Sequence, residues 1–215
     1  MTPEDARLAE VPVSSEQVLQ GSFLQVHRDQ VRLSTGSVVQ REYIRHPGAV
    51  MVVPLLDGER FVMERQFRYP LRRVLLEFPA GKIDRGEAPF LTGLRELFEE
   101  TGYRAAEWAL AGRLHNAAAY SDEFIEIWFA RGLQTGAARL DADELLDVCE
   151  MDLQGLRLMA ASGDLTDTKT QIGLLWLEHW AAERWQPQWK PVAAWCAELG
   201  IAPPDSTLMP TSPGA

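Results

Sequence analysis

The sequence predicts an α+β fold with strands layered against helices, and three observations carry that expectation. Short apolar runs bounded by turn residues recur in the first half of the chain, and one of them, Gly48–Leu56, is unbroken. A single amphipathic segment lies between Pro89 and Gly102, residue types that open and close helices. Further helical patterns follow the last strand-like run.

Composition bounds the rest. The chain has 215 residues, 46% of them apolar, enough for one sizeable domain with an appendage. Its net charge is −10, from 31 acidic and 21 basic residues, which argues against a nucleic-acid partner. An anionic ligand would need local arginines or bound cations to overcome that field. Cys149 and Cys196 stand in no metal-ligand or redox spacing and read as packed thiols in a reducing compartment. The N-terminus lacks the basic start and apolar run of a signal peptide. The longest apolar run, Ala49–Leu56, is far short of the roughly 20 residues of a membrane helix. These features predict a cytoplasmic protein with no membrane partner.

Taken in order, residues 1–20 show little pattern, and the first dozen are expected to be mobile. Phe23–Asp29, Gln30–Leu33 and Val38–Arg45 read as short strands, with Thr35-Gly36 turning the chain before the third. They make an N-terminal β extension over residues 1–47. Residues 48–202 form the main domain. Gly48–Leu56 is a buried strand, Phe61–Tyr69 returns after the turn at Asp57-Gly58, and Val74–Ala80 leads into the central helix. Glu107–Leu114 and Glu123–Leu133 are further strands, the latter apolar on both faces. Helices are expected over Leu153–Ala161, Lys169–Arg184 and Val192–Leu199. In the second of these, His179 shares a face with Trp176 and Trp180 and reads as a core-edge residue. The Pro-, Ser- and Thr-rich tail over residues 203–215 has little to bury and is expected to be disordered.

The central helix carries the chemistry. At about 100° per residue, Phe90, Leu91, Leu97 and Phe98 fall within about 60° of Leu94, and Glu96, Glu99 and Glu100 fall on the opposite side. Arg95 and Glu99, four apart, offset part of the repulsion among the carboxylates. The turn Gly81–Gly86 just before the helix allows backbone close to the acidic side. Clustered carboxylates beside such a loop suit a hard divalent cation and a diphosphate.

Gly81, Glu87 after five intervening residues, and then, after seven more, Arg95, Glu96, Leu97, Glu99, Glu100, Gly102 and Tyr103 match the fixed positions of the Nudix box. The chain therefore resembles the Nudix hydrolases, and the box covers about a tenth of it. The resemblance implies the Nudix α/β/α sandwich, a mixed sheet between helices. Outside the box, Glu64–Pro70, Leu75–Asp84, Tyr120–Glu123 and Gly163–Thr170 look like the ADP-ribose pyrophosphatase branch. That branch implies hydrolysis of a nucleoside diphosphate sugar, ADP-ribose to AMP and ribose 5-phosphate, by a homodimer built through its N-terminal strands. Another Nudix substrate (GDP-mannose, NADH or a dinucleoside polyphosphate) and a non-catalytic ADP-ribose sensor are the alternatives. One departure stands out: Ala117, Ala118 and Ala119 replace the Ser-Pro-Gly usual before the aromatic residue and SDE, so the proline taken as a mark of ADP-ribose preference is absent.

Residue by residue, the resemblance implies Mg²⁺, with Mn²⁺ as a substitute, held by Glu96, Glu100 and the Ala80 carbonyl, with Glu99 as a further ligand. Arg95 is expected to orient a box glutamate, and Glu87 either to support the structure or to reach a metal through water. Arg68 matches the arginine that contacts substrate phosphate, and Lys82 and Tyr69 are further substrate-binding candidates. Phe23, Tyr43 and Phe67 with Tyr69 are candidates for an aromatic wall against the base. The general base is expected on the loop Arg139–Asp147. Glu144 is the first candidate there, Asp141 and Asp143 are its rivals, and an ordinary solvated acidic loop is the plain reading.

Overall fold

The computed structural model describes residues 2–57, 60–136, 138–140 and 145–210. The chain forms two compact units, one from the residues up to Gly48 together with His115–Phe124, the other from Ala49–Leu114 and from Ile125 onward.

The first unit opens with a one-turn helix, α1 (Pro3–Ala6), closed by a capping box between Thr2 and Asp5. Strands β1 (Val11–Gln20), β2 (Gln25–Arg32) and β3 (Val38–Arg45) then make an antiparallel sheet in that order. The two strands expected over Phe23–Leu33 are thus one. β1 falls in a region where the sequence shows no pattern, because all ten of its residues are exposed and it has no buried side to impose alternation. The segment His115–Phe124 joins this unit by hydrogen bonds from the Ile44 amide to the Tyr120 carbonyl (2.8 Å) and from the Asp122 amide to the Ile44 carbonyl (3.2 Å). Its Ala117 carbonyl accepts the Tyr120 and Ser121 amides, so the alanines that replace Ser-Pro-Gly still make a turn.

The second unit holds the core. A five-stranded mixed sheet runs in the order β11 (Lys190–Pro191), β8 (Tyr103–Leu114), β9 (Ile125–Thr135), β4 (Ala49–Pro54) and β7 (Ala80–Lys82). Only β4 and β9 pair in parallel. A second, antiparallel sheet has β5 (Arg60–Arg68) between β10 (Leu146–Asp152) and β6 (Arg73–Glu77). The single strand expected over Val74–Ala80 is therefore two. The chain changes sheets at Phe78-Pro79, where the Pro79 carbonyl accepts the Val52 amide at 2.9 Å.

Among the described residues, four α-helices belong to this unit: α2 (Pro89–Thr101), α3 (Leu153–Ser162), α4 (Thr168–Ala181) and α5 (Val192–Leu199). α2 has Pro89 in its first turn and ends on Gly102 at φ 76°, a left-handed conformation that favours glycine. Its apolar side buries Phe90, Leu94 and Leu97, each contributing about 1.5–3 kcal/mol. β4 is buried along its whole length because a helix presses on each of its faces. Gly93 of α2 sits against Val50, Val52 and Trp108, and Gly173 of α4 against Met51 and Phe78, both closely enough that a Cβ would crowd its neighbours. β9 is covered on both sides as its sequence implied, with Trp128 packed on Phe90 and Trp195 at ring separations of 4.7 and 4.9 Å. His179 is half-buried beside Trp176. The tail expected to be disordered carries a short 3₁₀ turn at Ser206–Leu208, capped by Asp205 and tied by Arg104 to the Thr207 carbonyl. Among the described residues, no helix is long and apolar enough to cross a membrane.

Candidate active site

Helix α2 presents two of its carboxylates, Glu96 and Glu100, to strand β7 rather than to open water. Glu100 is only 2% exposed, and its Oε2 accepts the Ala80 amide at 3.1 Å. Read on the helix alone, Glu100 belongs to the polar side. Its burial comes from β7, which closes over that side. Glu96 lies across Gly81, where any Cβ would overlap its carboxylate. Gly81 is thus needed for room.

Arg95 stands among these groups. Its Nη1 donates to Glu96 Oε1 (2.8 Å) and Glu99 Oε2 (3.0 Å). Its Nε and Nη2 donate to the two oxygens of Glu87 (3.1 and 3.0 Å), and Nη2 also reaches the Lys82 carbonyl (3.2 Å). Burial opposes the arginine's charge, but Glu87, Glu96 and Glu99 outweigh it and raise its pKa above the ordinary value. Glu87 accepts in addition from the Thr92 hydroxyl (2.7 Å) and the Asp84 amide (3.3 Å). Burial pushes its carboxyl up, while Arg95 and Thr92 hold it below the usual range. These partners give Glu87 a structural part in holding Arg95 over the turn.

Among the described residues, no three His, Cys, Asp or Glu groups converge as a ready metal cluster, and Arg95 is the cation that balances the acids. The donor set still suits a hard divalent cation. One helix supplies three carboxylates, the adjoining strand supplies the Ala80 carbonyl, and Gly81 keeps the floor clear of a side chain.

A second cluster lies at the other end of the segment that leads to Ala80. Arg68, at the end of β5, donates through Nε and Nη2 to both oxygens of Glu77 at 2.7 Å. Glu77 is 1% exposed and is also bonded by the buried Lys169. Burial pushes Glu77 up, but the bonds and charges of Arg68 and Lys169 prevail and hold it low. The Arg68 side chain itself keeps 37% of its surface exposed. Glu77 and Lys169 sit in stretches that matched the branch, yet sequence reasoning gave them no role. The available signal was a charged residue in the apolar run Val74–Ala80.

The remaining candidates are dispersed. Tyr69 is 65% exposed, and its ring lies under the Arg72 guanidinium at 3.5 Å. Phe67 is exposed on the same strand-and-turn segment. Phe23 and Tyr43 belong to the first unit, where they pack on His46 and His27. A cavity of about 460 Å³ in that unit is lined by Tyr43, His115 and the segment Ala118–Asp122. Glu144, Asp141 and Asp143 lie outside the described residues. The described start of their loop touches the site helix: the Arg139 amide donates to the Glu99 carbonyl at 2.8 Å, and its guanidinium lies over the Phe98 ring.

Two family models match the chain. The NUDIX domain model matches residues 45–172, and the model for the nucleoside diphosphate sugar hydrolase N-terminal domain matches residues 12–44. An ADP-ribose pyrophosphatase of Bacillus subtilis is 34% identical over 173 residues, which span 80% of this chain and 94% of that protein. A methanol dehydrogenase activator of Bacillus methanolicus is 36% identical over 173 residues, 79% of this chain and 92% of its own length. A solved structure described as an ADP compounds hydrolase superposes with a TM-score of 0.73 at 23% identity, covering 81% of this chain and 95% of that one. At that identity it shows the fold, the mixed α+β arrangement expected from the sequence.

Gly81→Ala tests the cradle. The displaced atoms are the far end of the Glu96 side chain, so the melting temperature should stay at the wild-type value. Divalent-cation affinity, read by titration calorimetry, should fall by about 10–100-fold. Wild-type affinity in a folded Gly81→Ala protein would show that Glu96 need not lie over Gly81.

Proposed function

Because the chain belongs to the NUDIX domain family, we propose that it hydrolyses the diphosphate of a nucleoside diphosphate sugar, with ADP-ribose giving AMP and ribose 5-phosphate. The observation that carries this reading is the meeting of α2 and β7: Glu96 and Glu100 against the Ala80–Gly81 backbone, which lies three residues downstream of a carboxylate that grips Arg68. The match of residues 12–44 to a nucleoside diphosphate sugar hydrolase domain supports the substrate class, and the Bacillus subtilis relative supports ADP-ribose within it.

Glu96, Glu99, Glu100 and the Ala80 carbonyl would hold Mg²⁺, or Mn²⁺ in its place. A divalent cation supplies charge neutralisation of the diphosphate and a lowered pKa for water. Arg95 orients Glu96 and Glu99. Arg68 binds a substrate phosphate as a planar donor whose Nε and Nη2 are already set by Glu77. Lys82 and Tyr69 are proposed to flank the substrate, Tyr69 with a ring whose orientation Arg72 fixes. A loop carboxylate, Glu144, takes a proton from the attacking water. The described start of its loop lies against Glu99, which supports this assignment. The two half-buried or buried free thiols, Cys149 and Cys196, agree with a reducing, cytoplasmic setting.

We also infer a homodimer. β1 is a long edge strand with Val11, Val13 and Leu19 half exposed or more, the kind of edge that proteins cover. Light scattering should give about twice the chain mass of 24.1 kDa, and a monomer at micromolar concentration would reject the assembly.

A hydrolysis panel of ADP-ribose, GDP-mannose, UDP-glucose, NADH and diadenosine polyphosphates, with and without Mg²⁺, tests the substrate. ADP-ribose should be hydrolysed fastest, to AMP and ribose 5-phosphate, and only with a divalent cation. Preference for another member reassigns the substrate within the family, whereas binding of ADP-ribose without turnover identifies a sensor.

Glu144→Gln should lower turnover by about 10²–10⁴ while substrate affinity holds. Asp141→Asn and Asp143→Asn should lose much less. Raising the pH should partly restore Glu144→Gln as hydroxide becomes available. Near-wild-type rates in all three variants would place the base off this loop.

A further inference from the structure

The stretch Gly163–Thr170 has no part in the chemistry above, yet its side chains end at the site. Asp167 caps α4, accepting from the Thr170 amide (2.9 Å) and hydroxyl (2.7 Å). The Thr170 oxygen, fully buried, accepts the Phe78 amide at 3.1 Å. The Lys169 ammonium, 8% exposed as a residue, bonds Glu77 and, at 3.1 Å, Asp167 Oδ2. The Thr166 hydroxyl accepts Arg73 Nη2 at 2.7 Å, and Arg73 is the cross-strand partner of Arg68. Thr166 and the start of α4 thus grip β6 at Arg73 and Glu77, and the chain just beyond it at Phe78, ahead of Ala80.

The charges show what this grip does. Glu64 and Glu77 lie directly opposite one another on β5 and β6, and both are buried. Facing carboxylates in a sheet destabilise it, and burying them adds desolvation. An apolar pair would join α4 to β6 with neither cost. What the ionic arrangement adds is direction. Both Glu77 oxygens are committed to Arg68, and Lys169 fixes the same carboxylate from the helix side, so the plane of the guanidinium is set before any ligand arrives.

We propose that Lys169 is a positioning residue of the hydrolytic site: it pins the Glu77 carboxylate and, through it, the Arg68 guanidinium that meets the substrate phosphate. The inference rests on the reading of Arg68 as a phosphate contact. Without Lys169, Glu77 is anchored by Arg68 alone and can swing with it, so the preorganisation of the binding group is lost. Chemistry at the α2 carboxylates is untouched.

Steady-state kinetics on ADP-ribose at saturating Mg²⁺ would test this with Lys169→Met, Arg68→Ala and the double variant, alongside thermal melts. Lys169→Met should raise KM roughly tenfold while kcat stays within about threefold, the pattern of lost binding rather than lost chemistry. The double variant should be no worse than Arg68→Ala, since Lys169 acts through Arg68. If Lys169→Met does not fold, Lys169→Gln is read by the same criteria. A wild-type KM in the Lys169 variant, or a double variant in which the two effects multiply, overturns the proposal and leaves Lys169 a staple between α4 and β6. A wild-type KM in Arg68→Ala overturns the phosphate-contact reading itself, and this inference with it.

Discussion

The second unit is built around charge that has been taken out of water in compensated form. Glu87, Glu96 and Glu99 meet the one guanidinium of Arg95, and Glu100 is turned onto the Ala80 amide. Three carboxylates on one helix repel each other, and burial adds to the cost of keeping them ionised. Removing Arg95 would leave that charge partly buried with its cation gone, which is far more costly than losing an exposed pair. The same constraint explains Glu87, whose bonds to Arg95, Thr92 and Asp84 bind the turn after Gly81 to the helix that follows it. The loop is shaped by the ion pair it serves.

Close packing makes this arrangement possible. β4 lies between α2 and α4, and small residues set both contacts: Gly93 against Val50 and Val52, Gly173 against Met51 and Phe78. With the apolar side of α2 fixed on the sheet, the acidic side has one orientation, towards β7. β7 in turn pairs with β4 from Ala49 to Met51, so Ala80 and Gly81 are held in register with the strand that α2 covers. The site geometry follows from sheet register and helix packing together.

What was legible in the sequence follows from the same physics. α2 could be read almost to the residue because its apolar period, Pro89 and Gly102 all agree, and the box residues within it name the family. α5 coincides with the helix expected over Val192–Leu199. β1 leaves no trace because no face of it is buried, and β10, which the expected loop Arg139–Asp147 overlaps only at Leu146 and Asp147, has a shallow and irregular burial pattern with no period to read. The change of sheet between β6 and β7 was hidden in one apolar run that both strands share. Arg68 was singled out by resemblance, but the pairing that gives it direction spans Glu77 and Lys169, 92 residues apart, and no local pattern connects them. Glu100 was read as a polar-face residue because a helical projection cannot show the strand that covers it.

The two charge clusters bear on how a chain of net charge −10 could take up a diphosphate. Neither cluster offers unbalanced positive charge: Arg95 is saturated by three glutamates, and Arg68 and Lys169 share Glu77 with Asp167 close by. The field therefore gives an anion little attraction in the absence of a divalent cation. Arg68 contributes geometry more than net charge, since its guanidinium is already bound on one edge. In the proposed reaction, cation charge would have to enter with or before the diphosphate, and the prepositioned arginine would then set how the phosphates lie. The segment Glu77–Gly81 joins the two halves. Its first residue holds the arginine, and Ala80 and Gly81 floor the carboxylates. The compact spacing of those residues in the chain is the physical link between binding and chemistry in the proposed reaction.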